Sequence, residues 1–346
     1  MIMRMQAGTT RVGIIGASGY TGAEFLRLAA HHPTFDVVLA TGDTQAGTAA
    51  ADLYPSLAGR YPDLVFESFD PARADGLDLV VLGLPHEASM EVAAALHGRV
   101  GCIVDLSAAY RLKDASLYPQ WYGFEHDQPE LLAAAVYGLP ELHRAELRGA
   151  TLVSTPGCHV TAATLALAPL VEAGVIDTAG VIVNSITGVS GAGRALKHTS
   201  MFCTADEDVT AYGLLDHRHT PEIEQEVGAQ VLFTPHLAPM NRGILATCYA
   251  RPAATVGTSS LLDLLARRYQ GEPFVHVGQA SPSTKATLGS NMAHVTARYD
   301  DRTGTVVVIC AIDNLAKGAS GGAVQAANVA LGLPETAGLT QVGLYP

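Results

Sequence analysis

The residue best placed for chemistry is Cys158. It stands in Leu152-Val-Ser-Thr-Pro156-Gly-Cys158-His-Val-Thr161-Ala-Ala-Thr-Leu-Ala-Leu, where a strand pattern ends and a helical one begins. A thiol at a helix N-terminus is expected to have a lowered pKa, and the amides of the first turn can support a developing oxyanion. Such a thiolate attacks acyl carbons, so the pattern points to a covalent thioester. The remaining cysteines suit other roles. Cys102, Cys248 and Cys310 sit in apolar strand patterns and read as core, and Cys203 precedes Asp206, Glu207 and Asp208, whose charge opposes ionisation. With five cysteines and no Cys-x-x-Cys pair, neither a zinc site nor a redox dithiol is expected; they read as free thiols in a reducing compartment.

A cysteine nucleophile needs an acid or base, and the segment Asp216-His217-Arg218-His219-Thr220-Pro221-Glu222 offers two histidines just before a helix. Thr220 is expected to cap that helix, with Pro221 at its first position and Glu222 in its first turn. The His-x-His spacing can bind a metal, but no companion ligand cluster accompanies it, so no metal is expected. A solvated surface pair is the plainer alternative. A second glycine-rich turn, Ser190-Gly191-Ala192-Gly193, follows a strand and ends in Arg194, a residue suited to carboxylate or phosphate. Arg111 closes the run from Asp105 after another strand, where parallel sheets place ligand groups. Either arginine could equally be a plain surface charge.

Near the start, a strand pattern at 11–15 leads into Gly16-Ala17-Ser18-Gly19-Tyr20-Thr21-Gly22 and then an amphipathic helix. Glycines there let the backbone approach a pyrophosphate, and the helix N-terminus attracts the anion. An ordinary loop needing glycine only for positive φ is the alternative; the strand before and the helix after favour a dinucleotide. Asp43 lies close to where an acidic residue would hold the ribose hydroxyls of NAD, whereas Thr41, Thr44 and Gln45 could accept the 2′-phosphate of NADP.

The elements that must hold these groups follow from the pattern. Apolar runs and helical stretches alternate through 11–15, 21–30, 37–40, 77–84, 87–96 and 102–106, which predicts a parallel sheet of βαβ units. From about 151 the texture changes to strands at 181–186, 231–237, 243–250, 293–299 and 305–312, which predicts a mostly antiparallel sheet in a second domain. A small-residue helix at 319–331 is closed by Gly332 and Pro334. Lys and Arg number 21 against 33 Asp and Glu, a net charge of −12, the wrong sign for a nucleic-acid partner. No stretch approaches the roughly 18 unbroken apolar residues of a membrane span, and Met1 to Thr10 lack the apolar core of a secretion signal. The chain is therefore expected to be soluble and cytoplasmic, with no membrane partner.

Taken in order along the chain, these motifs resemble the N-acetyl-gamma-glutamyl-phosphate reductase family of the semialdehyde dehydrogenase superfamily. The resemblance rests on the first glycine turn, Leu84-Pro-His86, Asp105-Leu-Ser107, Tyr137-Gly-Leu-Pro-Glu141, Pro156-Gly-Cys158, Ser190 to Arg194, His217 to Glu222, Arg242-Gly-Ile-Leu-Ala246 and Ala311-Ile-Asp-Asn-Leu315. It implies a Rossmann-like NADP-binding domain, 1–155 joined by 316–346, and an α+β catalytic and dimerisation domain, 156–315. It implies Cys158 as nucleophile and His217 as acid/base. The turns Gly16 to Gly22 and Ser190 to Gly193 become cofactor loops, Asn314 lies near the nicotinamide, and Arg111, Arg194 and His219 meet the substrate. The implied reaction is NADPH-dependent reduction of an acyl phosphate in arginine biosynthesis, by a dimer or tetramer joined through the second domain. The family more often reads PGCYPTA where this chain has His159 and Val160, and ADFR where it has Ala109 and Tyr110. Three alternatives resemble it less: a reductase of carrier-linked aminoadipyl phosphate, which tends to lack SGAGR; an aspartate semialdehyde dehydrogenase, with asparagine before its cysteine; and a non-catalytic NADP sensor.

Overall fold

The computed structural model describes residues 8–346. The expectation about a secretion signal falls mostly on Met1 to Ala7, outside the described residues. The chain divides into two compact units: Met1–Tyr110 with Gln128–Thr155 and Ala323–Thr340, and Arg111–Asp127 with Pro156–Gly322 and Gln341–Pro346. Two stretches cluster differently from the bounds read from sequence. Arg111–Asp127 groups with the second unit, and within the C-terminal segment the first unit takes 323–340. The physical reason at 111–113 is that this backbone bonds the side chain of Gln225.

The first unit is built on six parallel strands, β1 (Thr10–Ile15), β2 (Phe35–Ala40), β3 (Leu79–Leu82), β4 (Cys102–Asp105), β5 (Val136–Tyr137) and β6 (Leu152–Ser154), in the order β2-β1-β3-β4-β6-β5. Every residue of β3 and β4 is buried, which is why β3, and β4 up to Asp105, read as continuous apolar runs rather than alternating ones. The chain goes outward from β1 to β2 and returns to β3 on the other side. This reversal opens a crevice at the C-terminal ends of β1 and β3, the usual ligand position in such sheets. The returning C-terminal segment is stitched down by Arg144, which bonds both oxygens of Glu335 at 3.0 and 3.1 Å, and by Gln325, which reaches Glu141 and Glu335 at 2.9 Å each. The small-residue helix runs Gly321–Ala330, preceded by a π-turn at Ala316–Ser320.

The second unit carries seven strands, β7 (Val181–Gly188), β8 (Thr210–Ala211), β9 (Val231–Ala238), β10 (Ile244–Ala250), β11 (Val275–Val277), β12 (Ala293–Asp300) and β13 (Thr305–Ile312), in the order β11-β12-β13-β10-β7-β9-β8. Most neighbours are antiparallel, but β7–β9 and β11–β12 are parallel, so the sheet is mixed. Buried and more exposed residues alternate along β7, β9 and β10, the signature of a sheet covered on one face. Helix Cys158–Glu172 supplies that cover, together with residues of Thr220–Val227 and Thr258–Arg268. Ile182 and Leu232, paired in register, stay exposed on the opposite face.

Candidate active site

Cys158 is the first residue of helix Cys158–Glu172, and Gly157 is its N-cap in an extended conformation. His159 to Leu170 are buried without a gap, and a helix with no polar face has to be internal. The half-buried Cys158 is packed closely by Gly318 of the π-turn, where a Cβ would lie 2.9 Å from that of Cys158. Burial pushes the thiol pKa above its ordinary value. Arg111 and the amides of His159 and Cys158 pull it down, and Glu222 adds to the rise. The lowered pKa expected at a helix N-terminus is thus corrected, because dehydration of the sulfur outweighs the amides.

The loop before helix Thr220–Val227 brings His217 and His219 to His159. Ring centroids are 4.7 Å apart for His217–His219, 5.9 Å for His159–His217 and 5.7 Å for His159–His219, all edge-to-face. His219 is buried against Gly157, where a Cβ would meet its ring carbon Cδ2 at 2.8 Å, so the pair is not a solvated surface feature. His217 Nδ1 accepts the His219 amide at 3.1 Å, which leaves the proton of the neutral ring on Nε2. Burial first, then Arg218, lowers the His217 pKa to about 4 against the opposing pull of Asp216. His159 bridges Ser185 Oγ at 2.7 Å and Tyr212 Oη at 3.0 Å, and burial followed by His217 brings its pKa to about 3. His219 is also well below the usual imidazole range, chiefly through burial, and its buried Nδ1 has no hydrogen-bond partner among the described residues. Three neutral rings therefore stand here at neutral pH. Among the described residues, no group of three or more His, Cys, Asp or Glu is arranged to hold a metal.

Helix Thr220–Val227 starts one residue earlier than the capping pattern predicts. Its N-cap is His219, without a side-chain bond, and Thr220 is already helical. Glu222 turns instead to another segment. Fully buried, it accepts the Gly157 N–H through Oε1 at 2.9 Å and pairs through Oε2 with Arg111 Nη1 at 3.5 Å. One turn on, Gln225 donates to the Arg111 carbonyl at 3.0 Å and accepts from the Lys113 N–H at 2.8 Å. Arg111 is therefore the buried ion-pair partner of Glu222. Sequence reading gave Glu222 no role beyond its helix turn, although it lies inside the histidine motif. It missed Ser185, Tyr212 and Gly318 altogether, since a strand serine, a loop tyrosine and a glycine in a small-residue tail carry no local chemical signal.

The second glycine turn is held from beneath. Asn314 donates to Ser190 Oγ at 2.9 Å and accepts the Gly243 N–H at 2.7 Å, so both ends of its amide are occupied by neighbouring loops. Ser190 is buried, Gly191 is exposed, Ala192 is half-buried, and Gly193 closes the turn at φ +81°. Arg194 is exposed and makes no ion pair among the described residues.

In the first unit, Gly16 has φ +88°, and a Cβ there would meet the Gly83 carbonyl oxygen at 2.5 Å. A Cβ on Gly22 would lie 2.7 Å from the Ala17 carbonyl carbon, so only glycine lets helix Tyr20–Ala29 start this close to the turn. Gly19 is the N-cap and no side chain caps the helix, while its first-turn amides lack intrahelical acceptors. This cradle fits a dinucleotide pyrophosphate. Thr41 is buried: its hydroxyl accepts the Gly16 N–H at 3.2 Å and its carbonyl accepts the Ala17 N–H at 2.7 Å, so it braces the turn. Ser18 is half-buried and its carbonyl accepts the Tyr54 hydroxyl at 2.8 Å; Tyr20 and Thr21 open the helix. Asp43 and Thr44 are exposed, Asp43 at φ 29°.

The semialdehyde dehydrogenase NAD binding domain family matches residues 11–150, and the semialdehyde dehydrogenase dimerisation domain family matches residues 158–314. The curated N-acetyl-gamma-glutamyl-phosphate reductase of Geobacter sulfurreducens is 47% identical, covering 97% of this chain and 99% of the relative. Those of Pelotomaculum thermopropionicum and Symbiobacterium thermophilum are 48% and 47% identical, over 97% and 98% of this chain and 99% and 100% of their own lengths. Among solved structures, aspartate semialdehyde dehydrogenase II of Vibrio cholerae aligns at TM-score 0.70 with 17% identity, and the Candida albicans enzyme with NADP at 0.70 with 16%. Each alignment covers 93% of this chain and 98% of the other, a likeness of fold alone. With two matching domain families and relatives at this identity along nearly the whole length, the chain belongs to the N-acetyl-gamma-glutamyl-phosphate reductase family of the semialdehyde dehydrogenases.

Proposed function

We propose that this protein reduces N-acetyl-L-glutamyl 5-phosphate to N-acetyl-L-glutamate 5-semialdehyde and phosphate, with NADPH as the donor, as a cytoplasmic step of arginine biosynthesis. The observation that carries the reading is the thiol of Cys158 at the start of a buried helix, beside the paired histidines, in a chain nearly half identical to reductases of that name. The proposed division of labour gives cofactor binding to 1–155 with 316–346, and chemistry with self-association to 156–315. Homo-oligomerisation through the second unit agrees with the description of its domain family.

The thiol ionises to a minor fraction of thiolate, which suffices because attack consumes it. Its sulfur adds to the acyl phosphate carbonyl, and the tetrahedral species collapses with loss of phosphate to give a thioester on Cys158. Residues Gly16 to Gly22 would hold the NADPH pyrophosphate, Ser190 to Gly193 form the second proposed cofactor loop, and bound NADPH would supply the hydride for thioester reduction. His217 donates its Nε2 proton as a hydrogen bond to the oxygen that gains charge in both tetrahedral species, and backbone amides of the Cys158 turn assist. Expulsion of the thiolate then releases the aldehyde, so no net proton transfer at His217 is required. This narrows the acid/base role to donation by a neutral ring, consistent with its pKa of about 4. Exposed Arg194 is the candidate for the substrate's carboxylate or phosphate, and His219 for a contact beside Gly157. The reverse assay tests the reading: NADPH should form from NADP, phosphate and the semialdehyde, and Cys158→Ala should abolish it. Folded wild-type protein that forms no NADPH would overturn the assignment.

A further inference from the structure

We propose that Glu222 is a positioning residue whose buried carboxylate holds the Gly157 peptide and the Arg111 guanidinium together, and so sets the electrostatic field at the Cys158 sulfur. The proposal deepens the thioester reading and rests on it, but its test does not need turnover.

Gly157 is the residue immediately before the nucleophile, and its N–H reaches Glu222 Oε1 at 2.9 Å. The other oxygen stands 3.5 Å from Arg111 Nη1. A carboxylate accepts from both donors at once. The isosteric amide cannot, since its NH₂ would face either the Gly157 N–H or the guanidinium. The surrounding titratable groups leave this pair in command of the charge. His159, His217 and His219 are neutral through the pH range in which a thiol ionises, because burial lowers all three. Tyr118, Tyr122 and Tyr212 are raised by burial and stay neutral as well. Charge near the sulfur therefore comes from Arg111 and Glu222, acting in opposite senses, with Arg218 beside the histidines. Glu222 also keeps the Gly157 amide occupied, which leaves the amides of Cys158 and His159 to the sulfur. The carboxylate thus restrains the thiol while fixing the turn that carries it.

The test is the pH dependence of Cys158 alkylation by iodoacetamide, read by site-resolved mass spectrometry because exposed Cys203 also reacts. Glu222→Gln should move the midpoint down by about one pH unit, a roughly tenfold gain in thiolate at fixed pH below it. Glu222→Asp, which keeps the charge, should stay within about 0.3 unit. Arg111→Met should move the midpoint upward, and this variant also decides the matter if Glu222→Gln does not fold. An unchanged midpoint in folded Glu222→Gln, equal shifts in the Gln and Asp variants, or a downward shift in Arg111→Met would overturn the proposal. Failure of the reductase assay alone would leave these midpoints where they are, so the two readings fall separately.

Discussion

Two helix starts with an extended glycine N-cap, at Gly19 and Gly157, do opposite things with the same local geometry. At Gly16 to Gly22 the glycines bring backbone against backbone, and the helix opens without a side-chain cap, at the end whose dipole favours an anion. At Gly157 the space a side chain would need is taken by the His219 ring, and the amide is claimed by Glu222. The first start is assembled within one short run of sequence, braced by Thr41. The second draws on residues from Arg111 to Gly318. A helix N-terminus is therefore not a sufficient predictor of a reactive thiol: its influence on Cys158 is overridden by burial and a neighbouring carboxylate.

The comparison predicts that damage to each start is confined to its own job. The largest effect belongs to Cys158→Ser, which should lower turnover by about 10⁴-fold or more while NADPH binding, followed by fluorescence titration, is unchanged. Retained turnover in that variant would remove the thioester from the mechanism. Gly22→Val should do the reverse. Its side chain collides with the Ala17 backbone, so NADPH affinity should drop by about 100-fold or more as the helix start is displaced, at a stability cost of about 1–3 kcal/mol, whereas Cys158 alkylation should persist. Equal loss of both properties would mean that the two starts are not independent.

The histidine cluster gives a third contrast, since the first start has no such group. His159 and His217 have folded pKa values of about 3 and 4, below the unfolded value of 6.5. Their neutral forms are favoured by the fold, so the stability they contribute is complete above pH 6.5 and is lost as pH falls toward 4 and 3. At pH 5 each should cost about 2 kcal/mol relative to neutral pH, measurable by urea denaturation. The variant His159→Phe should lose much of this pH dependence, and a slope identical to wild type would place the titration elsewhere. On the activity side, the limb assigned to His217 should appear near pH 4 rather than near 6.5. The smallest effect is expected at Asp43, exposed beyond β2: Asp43→Asn should improve the NADPH over NADH preference by about threefold by removing a charge that repels the 2′-phosphate. An unchanged preference would put cofactor selection outside this loop.

Much of the fold was legible. The alternation of apolar runs with helical stretches through 11–106 gave a parallel sheet, and the succession of strands through 181–312 gave a mostly antiparallel one. The parallel pairing of β7 with β9 was not legible, because strand alternation reports burial of a face and is blind to the direction of the neighbour. At the site, the cysteine and histidine motifs could be recognised separately, but the His159–Tyr212 bond joins positions 53 residues apart, which local spacing cannot reveal.

What the sequence determined by itself is therefore the set of short-range devices: the glycine turn before helix Tyr20–Ala29, the cysteine at a strand-to-helix junction, and the family pattern that links them. The tertiary structure decided the protonation state of the site. The helix-start amides near Cys158 act over one turn, whereas the desolvation that raises its thiol and the burial that keeps His159, His217 and His219 neutral depend on every segment packed around them. Glu222 shows the same division: its place in the first helical turn is set locally, but its bonds to Gly157 and Arg111 exist only after the chain has brought residues 65 and 111 positions away to one carboxylate.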